Sequence, residues 1–329
     1  MVSVKRATLF ILLSSCATAG GALSAELTEV AITQASLDSI EQAESVATDT
    51  SIPDPGIVKL QVLLDRAGAS PGVIDGYMGD NVQKAIAAVE AMAGLPVDGI
   101  LDAEVLSRLP DAGSFTTRHV IEASDAEGVT GDVPSDYADM AAMDFLGYAT
   151  VAEKLAERFH MDEDLLAALN PDATFAVGEE IVVVDPGQPV TGEVSHIEAD
   201  KTLRQVRAYS SDGQLIAAYP ATIGSTENPS PTGTHEVAAV APMPEYTYNP
   251  DVNFQQGDNN EVLTIPPGPN GPVGSMWIDL TEPTFGIHGT PQPSRIDKSP
   301  SHGCIRLTNW DAEELAAMVE VGVPVAFVD

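Results

Sequence analysis

Apolar residues recur at helical spacing between residues 56 and 110. Two runs repeat every three or four positions and so predict amphipathic helices: Ile57, Leu60, Leu63 and Leu64, then Val82, Ala85, Ile86 and Val89. The turn-forming stretches 71–79 (PGVIDGYMG) and 94–99 (GLPVDG) each contain an Asp-Gly pair followed by a helical pattern. This internal repeat predicts a compact helical unit.

Residues 114–186 carry shorter patterns of both kinds. Five segments follow one another: a strand at 115–121, an acidic, glycine-containing loop at 124–136, helices at 150–159 and 162–169, and a turn with a strand at 177–184. No catalytic constellation occurs here, so a structural role is as reasonable as a binding role.

From Val194 onward the pattern changes to short runs of alternating apolar and polar residues. These runs predict strands at 196–198, 203–209, 214–219, 235–240, 277–280, 285–288 and 324–328. One helix is predicted from about Trp310 to Val319, capped by Thr308 or Asn309. We expect residues 194–329 to form a mainly antiparallel β sandwich or barrel with one helix, within a multidomain α+β chain.

The first residues have the pattern of an export signal. Lys5-Arg6 precedes an apolar core, Ala7–Leu13, that is too short to span a bilayer. Two cleavage sites compete. Leu13–Cys16 resembles a lipobox, in which Cys16 would carry a lipid anchor, whereas Ala17–Ala19 suits ordinary signal peptidase. Both alternatives predict an exported protein of the periplasm or cell envelope.

The chain is strongly acidic, including the tether that we expect at 26–55 after a signal peptide at 1–25. Only 15 basic residues stand against 49 acidic ones, for a formal net charge of -34. Phosphate binding depends on Lys and Arg, so a nucleic-acid partner is excluded.

Cys304 is the only cysteine besides Cys16, so a mature chain that has lost or lipidated Cys16 has no second free thiol for an internal disulfide. An unpaired thiol in an oxidising compartment suggests a cysteine with a functional, reactive role. It lies in Ser301–Leu307 (SHGCIRL), a short loop after Ile287–Thr290 (IHGT). This density of histidine, glycine and thiol groups occurs nowhere else in the sequence, and it marks the candidate active site.

The residue types in this cluster suit a cysteine nucleophile. A hairpin-like return would bring His288 beside Cys304, where the imidazole takes the thiol proton. Gly289 would let its carbonyl orient that imidazole, and Gly303 would let nearby amides form an oxyanion hole. His302 would share a face with the thiol on extended backbone.

Residues 194–329 resemble the catalytic domain of the L,D-transpeptidases of the YkuD type. The resemblance lies in the motif HG-T…SHGCIRL and in the earlier segments 223–224, 231–234 and 274–278. It implies that Cys304 is the nucleophile and His288 the general base and acid. Gly289 would orient His288, and amides near Gly303 and Cys304, with His302, would hold the oxyanion. Four residues are expected to contact substrate: Arg306 (a carboxylate), Ser301, Thr290 and Trp277.

The resemblance also implies the reaction. The thiol would attack the amide after the diamino acid of a peptidoglycan tetrapeptide stem and release D-alanine. A side-chain amine of a second stem would resolve the thioester into a 3→3 cross-link. An amine of an outer-membrane protein or water are alternative acceptors, and water would make the enzyme an L,D-carboxypeptidase. No metal or cofactor is expected, and a carbapenem should capture the thiol.

The two upstream units resemble wall-binding modules. Residues 56–110, with PGxIDGxxG and GLxVDG, are similar to the peptidoglycan-binding domain 1 family, a three-helix module, although Glu90 stands where that family usually has Gln. Residues 114–186, with two helices, LNP and VGEEIVV, resemble a LysM-type ααβ module. Peptidoglycan is therefore the expected partner, and simple spacers are the alternative.

Several alternatives remain for the catalytic cluster. The cysteine could be an inert buried residue, or His288, His302 and Cys304 could bind zinc, although a fourth ligand is lacking. In papain-like or NlpC-like peptidases the cysteine precedes the histidine, which is the reverse of the order here. A wall-binding scaffold with an inactive catalytic domain is the non-enzymatic alternative.

Overall fold

The computed structural model describes residues 27–37, 40, 52–110, 113–252 and 254–329. The predicted signal peptide, the lipobox at Cys16 and most of the tether lie outside these residues. The helices are α1 Glu29–Gln34, α2 Pro55–Arg66, α3 Asp80–Ala93, α4 Ala103–Leu106, α5 Tyr137–Ala141, α6 Val151–Arg158, α7 Glu163–Leu169 and α8 Asn309–Met318, with 3-10 turns at Ala123–Ala126 and Pro293–Arg295. None of the helices in these ranges has the length and apolar content needed to cross a membrane.

Thirteen strands are seen in the described ranges. They are β1 Thr116–Val120, β2 Glu180–Val184, β3 His196–Asp200, β4 Gln205–Tyr209, β5 Leu215–Pro220, β6 Thr222–Ile223, β7 Gly233–Pro242, β8 Tyr246–Tyr248, β9 Leu263–Ile265, β10 Met276–Leu280, β11 Gly286–His288, β12 Ile305–Arg306 and β13 Pro324–Val328. All seven strands predicted after residue 194 occur, with ends shifted by a few residues. The short strands β6, β8, β9 and β12 were not predicted.

The N-terminal helical unit is built on two equivalent turns. Gln61 on α2 accepts hydrogen bonds at Oε1 from both amides of Asp75-Gly76, at 3.1 and 2.8 Å. Glu90 on α3 accepts from both amides of Asp98-Gly99 at Oε2, at 2.9 and 2.8 Å. Both side chains are buried, so each one holds an Asp-Gly turn against its helix. Glu90, which departs from the usual Gln, therefore has a structural role.

Residues 114–186 form a two-stranded antiparallel sheet that carries two helices. β1 pairs with β2 from Thr116↔Val184 to Val120↔Glu180. Asn170 ends α7 and ties it to the sheet, because its side chain both donates to and accepts from the backbone of Val182 at 2.7 Å. The strand predicted at 115–121 occurs as β1 and pairs with β2 beside the predicted ααβ unit, and residues 121–150 are inserted between β1 and α6. The LysM-like identity stays a prediction.

The C-terminal region contains a nine-stranded curled sheet with the strand order β5-β4-β3-β13-β7-β10-β11-β12-β6, and β8 and β9 pair separately. β5 and β6 lie at opposite edges, yet only Ala221 separates them along the chain. The sheet must therefore curl until its edges nearly meet, which confirms the barrel alternative of the predicted fold. Most pairs are antiparallel, but β3 pairs with β13, and β11 with β12, in parallel. Thr308 caps α8 through its hydroxyl, which accepts from the amide of Asp311 at 3.1 Å.

The upstream units pack directly on this sheet. The amide of Ser70 donates to the carbonyl of Ala218 on β5 at 2.9 Å, and the amide of Ala218 donates to the carbonyl of Gly68 at 2.8 Å. Lys84 on α3 forms an ion pair with Asp297 in the loop before β12. Within the predicted tether, α1 buries Ile32 completely in the hydrophobic core that the upstream units share with β5. The described residues are therefore packed against one another and not strung on flexible linkers.

Candidate active site

Two short parallel strands bring the predicted histidine and cysteine together. β11 ends at His288 and pairs with β12 in the register Ile287↔Ile305 and His288↔Arg306. Cys304 immediately precedes β12, and the amide of Leu307 donates to the carbonyl of His288 at 2.8 Å. The predicted hairpin-like return is wrong, because a hairpin makes an antiparallel pair. The loop over residues 289–304 instead crosses over and returns in the same direction.

His288 is held as a neutral imidazole in one orientation. Its Nδ1 donates to the carbonyl of Gly289 at 2.7 Å, in a buried position. This bond fixes the proton on Nδ1 and leaves Nε2 as an acceptor. Burial and the nearby Arg306 lower the pKa of His288 to about 3. The side chain can therefore accept a proton throughout the neutral range.

Cys304 is partly exposed and carries a protonated thiol at rest. Its Sγ donates to the carbonyl of Thr284 at 3.6 Å, and the amide of Gly286 donates to the sulfur. Burial raises the pKa of the Cys304 thiol, and the Gly286 amide and Arg306 oppose that rise. Thr284 has a φ of +73°, an uncommon conformation for a β-branched residue. A strained residue thus presents the carbonyl that contacts the nucleophile.

Trp277 forms one wall of the site. Its ring lies flat over Gly286, where an added Cβ would come within 2.5 Å of the indole. The same ring stacks on His288 at 5.5 Å between centroids, and its Nε1 donates to Asp279 at 3.1 Å. Gly286 is therefore required for the position of the indole, and its backbone amide faces Cys304.

Gly303 shapes the loop that presents the thiol. Its φ is +110°, a conformation that L side chains rarely adopt, and an added Cβ would lie 2.7 Å from the ring of Phe285. Ser301 donates to the carbonyl of Cys304 at 2.8 Å and closes the turn. The glycine predicted to expose the oxyanion amides therefore occupies a position that only glycine fits without distortion.

Arg306 is a partly buried cation that has no carboxylate partner among the described residues. Its neighbours are Tyr137, Cys304 and Arg295, and burial lowers its pKa. The absence of an acidic partner is notable in a chain with 49 acidic residues. A partly buried guanidinium without a carboxylate partner favours an anionic ligand.

The remaining predicted site residues have different surroundings. His302 is exposed and stacks on Phe254 at 3.8 Å. Thr290 is buried, and its hydroxyl accepts from the amide of Gln292 at 3.2 Å; it does not line the cavity. The other histidines that the structure describes are engaged elsewhere: His119 with Asp125, His160 with Asp65, His196 with Tyr209 and His235 with Glu282.

One cavity of about 550 Å³ joins the thiol, the imidazole and the guanidinium. Trp277, Ser301 and His302 also line it, as predicted. Sequence patterns missed four aromatic residues in its wall: Tyr137, Tyr246, Phe254 and Phe285. Across the described ranges, no three His, Cys, Asp or Glu side chains converge as a metal site.

Comparisons with known proteins agree with this geometry. A family model described as "L,D-transpeptidase catalytic domain" matches residues 194–326, and one described as "Putative peptidoglycan binding domain" matches residues 53–109. The chain is 30% identical over 177 residues to the "Putative L,D-transpeptidase YkuD" of Bacillus licheniformis. That alignment covers 53% of this chain and 91% of the relative. The chain belongs to the L,D-transpeptidase family.

Other members of the family are more distant. The "Putative L,D-transpeptidase YkuD" of Bacillus subtilis is 28% identical over 173 residues, which is 52% of this chain and 89% of that protein. The solved L,D-transpeptidase from Mycobacterium smegmatis is 22% identical with a TM-score of 0.34, over 47% of this chain and 65% of that one. Residues 114–186 lie outside the residues that the two family models match, 53–109 and 194–326.

Glu157 of α6 reaches the catalytic domain from outside the residues that the two family models match. Asn309 donates from Nδ2 to Glu157 Oε2 at 2.9 Å, and its Oδ1 accepts from the amide of Ser275 at 3.1 Å. A Cβ on Gly289 would collide with the same Oδ1. Asn309 therefore packs against the backbone that orients His288, and Glu157 fixes Asn309.

Replacing Glu157 with Gln should change the pH dependence of stability. Burial raises the pKa of Glu157 to about 8 from an ordinary 4.5. Folding thus takes up a proton, and the contribution of this group to stability falls as the pH rises from about 4.5 to 8. Glutamine retains the acceptor for Asn309 and does not titrate. The free energy of unfolding of Glu157→Gln, relative to the original protein, should therefore increase by on the order of 3 kcal/mol between pH 5 and pH 8.

Chemical denaturation at the two pH values measures this difference. Glu104→Gln, on the exposed side of α4, is the matched control and should show no comparable trend. A relative stability of Glu157→Gln that stays constant with pH would contradict the buried, protonated carboxyl.

Proposed function

We propose that the protein is a peptidoglycan L,D-transpeptidase that works through a thioester on Cys304. The observation that carries the proposal is the neutral His288, whose Nδ1 donates to the Gly289 carbonyl and whose side chain lines the same cavity as the thiol. Membership of the family supports the reaction class, and the peptidoglycan-binding match supports the substrate.

Acylation begins with a tetrapeptide stem in the cavity. The thiol proton moves to Nε2 of His288 as Sγ attacks the carbonyl carbon before the terminal D-alanine. Amides around Gly303 and Cys304, with His302, hold the oxyanion. When the intermediate collapses, the C–N bond breaks, His288 returns the proton to the leaving amine, and D-alanine departs. Arg306 binds a substrate carboxylate while the thiol attacks.

Deacylation repeats these steps with a new nucleophile. The side-chain amine of a second stem attacks the thioester, gives its proton to His288, and forms the new amide as the thiol is released. This sequence makes a 3→3 cross-link. A protein amine would attach that protein to the wall, and water would give carboxypeptidase activity. Ser301, Thr290 and Trp277 remain expected contributors to the substrate site, with Thr290 acting through the turn that it closes.

The rest of the chain serves the same substrate in this proposal. Residues 56–110 and 114–186 bind or position the wall for the catalytic domain at 194–329. The protein acts in the cell envelope, and residues 1–25 direct its export. A lipid anchor on Cys16 remains one of the two alternatives for the mature N-terminus.

Turnover of a purified disaccharide-tetrapeptide tests the function. We expect one D-alanine released for each dimer formed, and a mass that matches a 3→3 linkage. A disaccharide-pentapeptide is the control donor and should give no dimer, because its scissile position carries an extra residue. Release of D-alanine without dimer at any amine concentration would favour the carboxypeptidase. Release of no D-alanine would contradict both.

A further inference from the structure

A small, separate hydrophobic core adjoins the catalytic cavity through Tyr137 and Tyr246, and two segments distant in sequence build it. The β8–β9 hairpin forms its own two-stranded sheet, with Tyr248 and Ile265 fully buried. They pack on Met140 and Leu146, which belong to the insertion at 121–150. The hairpin of the catalytic domain therefore buries its apolar side against the insertion.

Polar contacts fix the insertion to the catalytic domain. The amide of Tyr137 donates to Gln256 Oε1 at 3.2 Å, and Gln256 Nε2 donates to the carbonyl of Ser135 at 2.9 Å. Asn259 donates to Asp136, the residue that caps α5, at 3.2 and 3.3 Å. These bonds set the start of α5, and with it Tyr137, at the cavity.

Tyr137 is the residue through which the insertion enters the active site. Its ring makes edge contacts with Tyr248 at 5.2 Å and Phe254 at 6.1 Å, and Phe254 stacks on His302. Its ring also lines the cavity with Cys304. A continuous set of aromatic rings thus connects the insertion to the loop that carries the thiol.

The Tyr137 hydroxyl has no hydrogen-bond partner among the described residues. Burial raises the pKa of Tyr137 to about 12, so the phenol stays protonated and can donate. Its electrostatic neighbour in the cavity is Arg306, which likewise has no carboxylate partner in the described part of the chain. Two donors without protein acceptors therefore face one cavity beside the nucleophile, and such a pair matches a carboxylate.

We propose that Tyr137, contributed by the insertion, joins Arg306 to seat the C-terminal carboxylate of the donor peptide and is a specificity-determining residue of the active site. The proposal rests on the proposed function for the identity of the donor. According to this proposal, residues 194–329 alone do not form the complete catalytic cavity. One of the two hydrogen-bond donors that bind the substrate carboxylate comes from residues 121–150.

Binding of two peptides to a chain that cannot turn them over tests this proposal. Full-length Cys304→Ala and Cys304→Ala/Tyr137→Phe are titrated calorimetrically with a tetrapeptide that ends in D-alanine and with the same peptide ending in D-alaninamide. Phenylalanine keeps the ring contacts, so only the hydroxyl is lost. We expect Tyr137→Phe to weaken binding of the acid roughly tenfold, the effect of one hydrogen bond to a charged group, and to leave binding of the amide within about twofold.

Tyr209→Phe in the same background is the matched control. Its hydroxyl bonds Glu198 at 2.8 Å, and the residue does not line the cavity. It should change neither affinity. Equal losses for acid and amide, or no loss for either, would overturn the role of Tyr137.

Turnover by the protein with Cys304 intact separates this proposal from the proposed function. If the tetrapeptide binds with the expected acid preference but no D-alanine is released, the carboxylate site stands and the transpeptidase activity fails. If D-alanine is released while Tyr137→Phe shows no acid-specific loss, the activity stands and the Tyr137 proposal fails.

Discussion

Cys304→Ser should lower tetrapeptide turnover by at least about 10³-fold, although it changes a single atom. The pKa of His288 is held near 3 by burial and by Arg306, so this imidazole is a weak base in the empty site. A weak base can take a proton from a thiol during attack far more readily than from an alcohol. Serine therefore fits the position without supplying an effective nucleophile.

D-Alanine release under saturating tetrapeptide measures the loss, and thermal unfolding checks that the fold is retained. Cys304→Ala should show a similar rate, because neither side chain forms the thioester. A serine variant that keeps a tenth of the original turnover would contradict the thiol mechanism.

His288→Gln should reduce the rate of acylation by about 10²- to 10⁴-fold, the usual contribution of a positioned general base. The amide side chain cannot take the thiol proton or return it to the leaving amine. His302→Gln is the matched control, because His302 is exposed and stacked on Phe254. It should cost much less than His288→Gln, since it leaves the base in place and affects at most the oxyanion.

The same histidine predicts an unusual pH profile. Only the neutral imidazole acts as the base, and with a pKa of about 3 it is neutral across pH 5 to 8. Acylation by the unmodified protein should therefore show no inflection near pH 6.5, the ordinary pKa of histidine. An inflection at that pH that disappears in His288→Gln would show that the base titrates normally and would contradict its burial.

The strands of the catalytic domain were predictable, but their pairing was not. Alternation over five or more residues predicted β4 and β13, because each has one face in the core. β12 has two residues and carries no readable period. Its parallel pairing with β11 depends on the path of residues 289–304, which local pattern does not encode, so the expected hairpin was wrong.

In the site, too, residues close together in sequence could be predicted, and residues brought in by tertiary packing could not. Cys304, His288 and the two glycines lie within one short stretch, so their chemistry could be inferred from neighbours in sequence. Tyr137 and Glu157 could not be inferred this way. Each belongs to an unremarkable helix of the middle region, and only its packing brings it to the cavity or to Asn309.

The internal repeat of two Asp-Gly turns corresponds to a repeated set of hydrogen bonds, which the sequence alone only suggested. Gln61 and Glu90 occupy corresponding places and hold the two turns with paired amide contacts. Glu90 departs from the Gln that is usual in the family. Its acceptor oxygen nevertheless holds the turn in the way that the oxygen of a Gln would.

Intact-mass spectrometry after exposure to a carbapenem tests the central claim most directly. The β-lactam carbonyl offers the thiol an acyl group whose adduct keeps the whole mass of the drug. We expect complete conversion to a single adduct, with the added mass on the peptide that contains Cys304, and no adduct on Cys304→Ser. A thioester mechanism at Cys304 would be contradicted if the protein with Cys304 intact gained no mass, or gained it on any other residue.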